Sequence, residues 1–332
     1  MNKLNEFPEK LQGILSNKSQ ELIIFPTEQC NFRCTYCYED FSLGKMSNEI
    51  VGGVKKFLYR RIPELDSLHL SWFGGEPLVA KDIVFDISEY ASSLAKKHNT
   101  TFIGSMTTNG YNLSLKTFSK LVDFGVTKYQ ISLDGSRNTH NTTRLRADGK
   151  GTFDRIWGNL LNIRKSDLNF SITLRVHLDN NNVDQIESLL KDLKKEFFYD
   201  KRFSIFFKTI EKLGGKNDEK LNVIPIKDRE LIIDTLKENL FGINPNKNSN
   251  EPYICYASKP NSLIIRSDGR IGKCTVALND NRNSIGELLS NGTIKIDSDR
   301  LAPWLRGITD LDLNALSCPL QSLPNDPVQN IL

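Results

Sequence analysis

Cysteine is scarce in this chain, with six in 332 residues, which excludes a disulfide-stapled scaffold. Long apolar runs are missing too. No stretch approaches the roughly 18 consecutive apolar residues of a membrane span, and Met1 to Gln20 alternates charge with apolar residues where a secretory signal has an apolar core. Nor is there an excess of one charge: 44 Lys and Arg against 40 Asp and Glu leave +4, too little to call for nucleic acid or an anionic membrane. The expectation is a cytoplasmic protein with neither a nucleic-acid nor a membrane partner. An apolar fraction of 39% and a charged fraction of 25% are those of a globular chain. The length suits one large fold, or a main domain with an appendage.

Apolar or β-branched runs bounded by turn residues predict strands at Leu22 to Phe25, Leu68 to Phe73, Thr101 to Met106, Lys128 to Leu133, Ser171 to Val176 and Phe203 to Thr209. Helical spacing fills the gaps at Asn48 to Arg60, Asp82 to Lys97, Ser114 to Phe124, Phe153 to Arg164 and Val183 to Lys194. Alternation with long crossovers implies an α/β fold with a parallel sheet, whose ligands gather at the carboxyl ends of the strands. From Glu211 to Glu251 the composition turns to Lys, Asn, Gly and Asp around an amphipathic piece at Arg229 to Leu240, which reads as a connection into a second part. That part carries Cys255, Cys274 and Cys318, a strand at Ser262 to Arg266 and the turn Ser267-Asp268-Gly269-Arg270. The boundaries drawn are a lead-in at 1–20, a main domain at 21–210, a connector at 211–250 and a C-terminal domain at 251–332.

The half of the cysteines that bunch carry the chemistry. Cys30-Asn31-Phe32-Arg33-Cys34-Thr35-Tyr36-Cys37 places three thiols within eight residues, directly after the first predicted strand. Structural zinc wants four protein ligands and no fourth Cys or His is near, so three soft ligands on one loop suggest an iron–sulfur cluster with one iron open to a substrate.

This three-cysteine spacing, with an aromatic before the last Cys, resembles the signature of the radical S-adenosylmethionine (radical SAM) superfamily. The resemblance implies a partial (β/α)6 barrel in which Cys30, Cys34 and Cys37 hold a 4Fe–4S cluster. SAM chelates the open iron and is cleaved to methionine and a 5′-deoxyadenosyl radical that takes hydrogen from the substrate. Gly74-Gly75-Glu76-Pro77 after the second strand is similar to the family's GGEP motif, where glycines admit a close backbone approach and the carboxylate suits the SAM ammonium. Thr107-Thr108-Asn109-Gly110 and Ser132-Leu133-Asp134-Gly135 end the third and fourth strands, as TNG and SLDG do in the peptide-modifying branch. Asn109 joins the SAM set by that match, and Ser132 and Asp134 are expected to face the SAM ribose or methionine end. His140 to Arg144 followed by Gly151-Thr152-Phe153 continues the branch pattern, with Asn141 where the family usually has Asp. Arg144, or Arg175 on the fifth strand, is a candidate partner of the SAM carboxylate, against a surface salt bridge as the plain alternative. Tyr36 is expected either against the adenine or in the core. His69, His98 and His177 read as structural.

Cys255, thirteen residues, Gly269, four residues and Cys274 resemble the opening of a SPASM or shorter twitch extension, and Ile285-Gly286-Glu287-Leu288 fits as well. A complete SPASM domain has more cysteines than this chain supplies. The resemblance therefore implies a single auxiliary 4Fe–4S cluster on Cys255, Cys274 and Cys318, its fourth position an open iron or a non-cysteine ligand; a degenerate domain without a cluster is the alternative. By the same resemblance the chain is a radical SAM oxidoreductase that matures ribosomally made peptides, with a precursor peptide as substrate and flavodoxin or ferredoxin as electron donor. The expected product is an intrapeptide C–C, C–O or thioether cross-link. Oxidation of a Ser, Cys or small alcohol in the manner of sulfatase-maturing enzymes is the alternative, with peptide epimerisation behind it for want of a spare thiol. A non-catalytic scaffold is opposed by the intact motifs. Only 29 residues precede Cys30, so leader recognition is expected from the core or from another protein.

Overall fold

The computed structural model describes residues 13–242 and 253–324. The first half of the lead-in, the end of the connector and the last eight residues lie outside the described residues.

Six parallel strands form the core: β1 (Ser19–Ile24), β3 (Ser67–Trp72), β4 (Thr101–Thr108), β5 (Val126–Leu133), β7 (Ser171–Leu178) and β8 (Phe203–Thr209), adjacent in that order. These are the six predicted strands. They alternate with α1 (Asn48–Arg61), α2 (Lys81–Lys97), α3 (Leu115–Asp123), α4 (Arg137–Thr143), α5 (Phe153–Arg164) and α6 (Glu187–Glu196). Local chemistry sets their ends. Ser47 caps α1 by accepting from Ile50 N at 3.3 Å, and Ser114 caps α3 by accepting from Thr117 N at 3.3 Å, each satisfying a first-turn donor. Arg60 and Arg61 fall in the last turn of α1, where they suit its negative end. One face of each strand meets the helices: Leu22 and Ile24 of β1, Leu68, Leu70 and Trp72 of β3, and Ile172, Leu174 and Val176 of β7 share one large apolar core. The opposite face of β7 carries Thr173, Arg175 and His177 into a polar interior, because side chains alternate along a strand.

The C-terminal part extends this same sheet. β9 (Ser262–Ile265) pairs in parallel with β1, and β10 (Arg270–Gly272), β11 (Gly286–Leu288) and β12 (Ile294–Ile296) continue as an antiparallel meander, giving ten strands in one sheet. The connector holds α7 (Ile226–Phe241), ended by Gly242 at φ 78°, a left-handed stop that glycine makes without strain. Several elements escaped the pattern reading, among them α4, β10, β11, β12, α8 (Ser298–Thr309), which contains Pro303, and α9 (Leu313–Ser317). A proline argues against a helix interior, yet Asp297 caps α8 by accepting from Asp299 N and Arg300 N, and Trp304 is fully buried. The two-stranded ribbon of β2 (Phe32–Cys34) and β6 (Arg144–Arg146) escaped as well, three residues each and too short for a periodicity. Among the described residues no helix is long and apolar enough to cross a membrane.

Candidate functional site

All six core strands run the same way, so their carboxyl ends meet at one mouth, and the cysteine loop closes over it. Burial is the largest cause raising Cys30 and Cys37, the latter pushed up to about 12, and the thiolates are near enough that Cys34 and Cys37 add to the rise at Cys30 and Cys34 to that at Cys37. Phe32 N donates to Cys30 Sγ at 3.3 Å, a backbone contact that favours the thiolate. The ribbon sets Cys34 opposite Arg144. Arg144 is buried; its Nη1 donates to Tyr36 Oη at 2.7 Å, and its Nε is buried with no hydrogen-bond partner.

Asp134 is the hub of this mouth. Its carboxylate accepts from Tyr36 Oη at 2.8 and 3.0 Å and from Thr143 Oγ1 at 2.7 Å, with His177 Nδ1 at 3.2 Å. Burial opposes its charge, but Arg144 and then His177 outweigh it and hold the carboxyl well below the usual range. Asn182 Nδ2 donates to the carbonyls of Asp134 at 2.8 Å and His177 at 2.9 Å, tying the ends of β5 and β7 together. His140 is kept neutral by burial, down to about 3; its Nδ1 accepts from Asp134 N at 3.3 Å and its Nε2 faces Thr152 Oγ1 at 3.0 Å. Asn141, the departure from the family pattern, accepts from Thr152 N at 2.8 Å and Phe153 N at 3.1 Å and so anchors the start of α5.

Glu76 is fully buried, and its two oxygens accept from Leu78 N at 3.0 Å, Thr108 Oγ1 at 2.7 Å and Asn109 N at 2.7 Å. It locks the loop after β3 to the end of β4. Asn109 Nδ2 then donates to Asn31 Oδ1 at 2.8 Å inside the cysteine loop. Gly74 adopts φ +107°, which only glycine takes readily. Gly75 precedes Glu76, whose N–H donates to Gln29 O at 3.0 Å; a Cβ on Gly75 would stand 2.5 Å from that same carbonyl oxygen. Gly75→Ala should therefore push the loop off the segment that carries Cys30, costing about 1–3 kcal/mol and lowering iron content after reconstitution. An unchanged melting curve and full iron loading would refute that close approach.

Cys255, Cys274 and Cys318 also meet. Burial is the largest cause raising Cys255 and Cys274, and the charges of the other thiolates add to it. The two triads face each other across a short link. Tyr38, directly after Cys37, donates through its hydroxyl to Thr275 O at 3.1 Å, directly after Cys274. Tyr256, directly after Cys255, has its hydroxyl 2.8 Å from Thr275 Oγ1 and accepts from Thr275 N at 2.9 Å. A cleft of about 610 Å³ opens here, lined among others by Tyr38, Lys212, Val276, Ala277, Arg282 and Leu320.

All the site residues named from the sequence at the strand ends thus converge on one mouth, Ser132 and Arg175 as neighbours in the register of β5 and β7. The structure adds His177, which reads from sequence as structural and stands here on Tyr36 and Asp134. Its signal was present: it follows Arg175 by two residues and so shares its face. Tyr38, Thr275 and the buried pair of Glu28 with Arg266 (2.6 and 3.0 Å) carried no local signal at all.

A parallel α/β barrel-like core with three thiols on the loop after its first strand defines the class: a metallocluster enzyme fold open at its strand ends. The Radical SAM superfamily model matches residues 24–193, and the chain belongs to that superfamily. Among curated relatives it is 26% identical over 231 residues to a cysteine-type anaerobic sulfatase-maturating enzyme of Clostridium novyi, covering 66% of this chain and 59% of the relative. It is 25% identical over 191 residues to Fe-coproporphyrin III synthase of Methanosarcina barkeri, covering 58% and 45%. The chain thus spans less than two thirds of the length of either. Among solved structures, anSMEcpe with bound AdoMet and Cp18Cys peptide superposes with a TM-score of 0.61 at 20% identity, over 85% of this chain and 79% of that one. Streptococcus suis SuiB bound to precursor peptide SuiA gives 0.63 at 16%, over 92% and 70%. At these identities they share the fold.

Members of the superfamily use a 4Fe–4S cluster and AdoMet. The donor set fits: three thiols on one loop, a backbone N–H on Cys30 Sγ and a buried guanidinium with a free edge beside Cys34. Among the described residues no three His, Cys, Asp or Glu side chains close around the point that a single ion would occupy. A four-iron cluster is larger and holds its thiolates farther apart.

Proposed function

We propose that this chain cleaves SAM reductively and uses the resulting 5′-deoxyadenosyl radical to abstract hydrogen from a ribosomally made peptide, forming an intrapeptide C–C, C–O or thioether cross-link. The observation that carries the reading is the cleft between the triads: Tyr38 follows Cys37 by one residue, Val276 and Ala277 follow Cys274 by two and three, and Leu320 follows Cys318 by two. A substrate lying there touches the surroundings of both thiol groups at once. The bound cluster supplies the electron that breaks the SAM carbon–sulfur bond. Cys30, Cys34 and Cys37 would hold it; Arg144 would bind the SAM carboxylate through its Nε edge; Tyr36, Asp134 and His177 keep that arginine and the cysteine loop in place. Glu76 orients the strand-end loop by its own hydrogen bonds, leaving Gly74, Gly75 and Pro77 to form the wall that SAM meets. Residues 21–210 would form the SAM-binding domain, 211–250 the connector and 251–332 the auxiliary domain, with one further cluster on Cys255, Cys274 and Cys318. Flavodoxin or ferredoxin would be the donor.

The alternative is oxidation of a single Ser or Cys, which the similarity to a sulfatase-maturating enzyme favours. Peptides encoded beside the gene, co-expressed with the enzyme and compared by mass spectrometry with a Cys34→Ala control, separate the two. A loss of two hydrogens with fragmentation blocked between two residues establishes a cross-link. The same loss with every backbone fragment present, and one residue lighter, establishes simple oxidation. Cys274→Ala is expected to keep SAM cleavage and lose product; product formation at the wild-type rate would remove the second cluster from the mechanism.

A further inference from the structure

Two guanidinium groups reach the barrel mouth, and the cofactor has a single carboxylate for them. Arg144 stands opposite Cys34 in the ribbon, with Nη1 engaged by Tyr36 and Nε buried and unpartnered, so its Nε–Nη2 edge is a free fork beside the cysteine loop. Arg175 is a second such cation. Its Nε is also buried without a hydrogen-bond partner, and among the described residues no carboxylate pairs with it. It projects from the interior face of β7, between Ser132 of β5 and Phe206 of β8 in the register. Its charge bears on Tyr36 and on Tyr38, the residue that lines the cleft. Arg175 is only partly exposed, and a guanidinium whose Nε is cut off from water without a hydrogen-bond partner is normally matched by an anion. The two acids at the strand ends are already engaged, Asp134 by Tyr36, Thr143 and His177, and Glu76 by Leu78, Thr108 and Asn109.

We infer that Arg175 is a specificity-determining residue that binds a carboxylate of the substrate, so that the peptide carries an Asp, a Glu or its free C-terminus beside the residue that loses hydrogen. This rests on the peptide reading above. Arg144 serves the cofactor carboxylate because it stands opposite Cys34 in the cysteine loop, which leaves Arg175, on the interior face of β7, for the substrate's. A planar fork matched to a carboxylate also fixes the angle at which the peptide enters, which sets the hydrogen presented to the radical.

The test uses the full chain, reconstituted with iron, sulfide and SAM, to capture short linear peptides from a display library. The wild type should enrich Asp or Glu at one position, or a free C-terminus, about tenfold over the input. Arg175→Gln should return that position to input frequency, Arg175→Lys should keep a weaker acidic preference, and Arg175→Glu should replace it with Lys or Arg. Captured peptides with no acidic preference would overturn the assignment and leave the peptide reading standing; capture of no peptide would overturn both. SAM bound in equilibrium dialysis supplies the remaining arm: an affinity lowered about tenfold or more in Arg175→Gln would give the arginine to the cofactor and end the proposal.

Discussion

Cys34→Ala should abolish SAM cleavage and remove about four iron atoms per chain, while the metal-free protein keeps its fold. Cys34 is the middle thiol of the loop, packs partly against the apolar core and pairs through the ribbon with Arg144. The substitution removes one of three thiolates, and two cannot hold a cluster that leaves one iron open. The ribbon's backbone pairing, Phe32 to Arg146 and Cys34 to Arg144, does not depend on the side chain, so circular dichroism should be unchanged. Iron analysis and the yield of 5′-deoxyadenosine under strong reductant check the two halves separately. Retained cleavage at the wild-type rate would place the reactive cluster elsewhere. The corresponding change at Cys318 should remove iron only from the C-terminal triad and leave cleavage in place.

Arg266→Met is expected to cost about 3–5 kcal/mol in stability, measured by urea unfolding of the metal-free chain. Arg266 donates to Glu28 through Nε at 3.0 Å and Nη2 at 2.6 Å, and through Nη1 to Leu278 O at 2.6 Å. Both side chains are almost inaccessible, 7% and 4% exposed. Removing the guanidinium leaves the buried Glu28 carboxylate with only a 3.4 Å contact from Ser267 Oγ and the Leu278 carbonyl without its partner, whereas replacing both ends by apolar groups, Glu28→Leu with Arg266→Met, should recover most of the loss. A single substitution no worse than about 1 kcal/mol would mean that the pair is open to water. The position gives the result a second consequence. Glu28 lies two residues before Cys30, and Arg266 directly follows β9, so the pair pins the cysteine loop to the C-terminal meander. Glu39, two residues beyond Cys37, is pushed up to about 8, by burial first and then by Glu28. Loss of Arg266 should raise it further and loosen the loop from both sides.

Much of the fold was legible because it is written at short range. The run Ser171 to Val176 and the helix Phe153 to Arg164 each carry their own period, and Ser47 and Ser114 mark helix starts by their own hydroxyls. The helix at Ser298–Thr309 was hidden by Pro303, whose penalty is outweighed by the Asp297 cap and the burial of Trp304. The C-terminal part joins the core sheet through β9, where Leu263 and Ile264 pair with Leu22 and Ile23. Nothing in three apolar residues names the strand beside which they will lie.

The candidate site divides in the same way. Three thiols at that spacing and the strand-end motifs stand within loops of a few residues, so the sequence by itself determined the family, the cluster chemistry and the end of the sheet at which it occurs. Only the tertiary structure decided which groups are spoken for. It engages Glu76 and Asp134 in internal hydrogen bonds, faces Cys34 with Arg144, joins Tyr38 to Thr275 across 237 residues, and leaves Arg175 Nε buried without a hydrogen-bond partner among the described residues. Residue type and spacing set what a side chain is able to donate or accept. Whether that capacity is already met depends on strands brought together from distant parts of the chain, and their pairing is settled by burial of the whole apolar core.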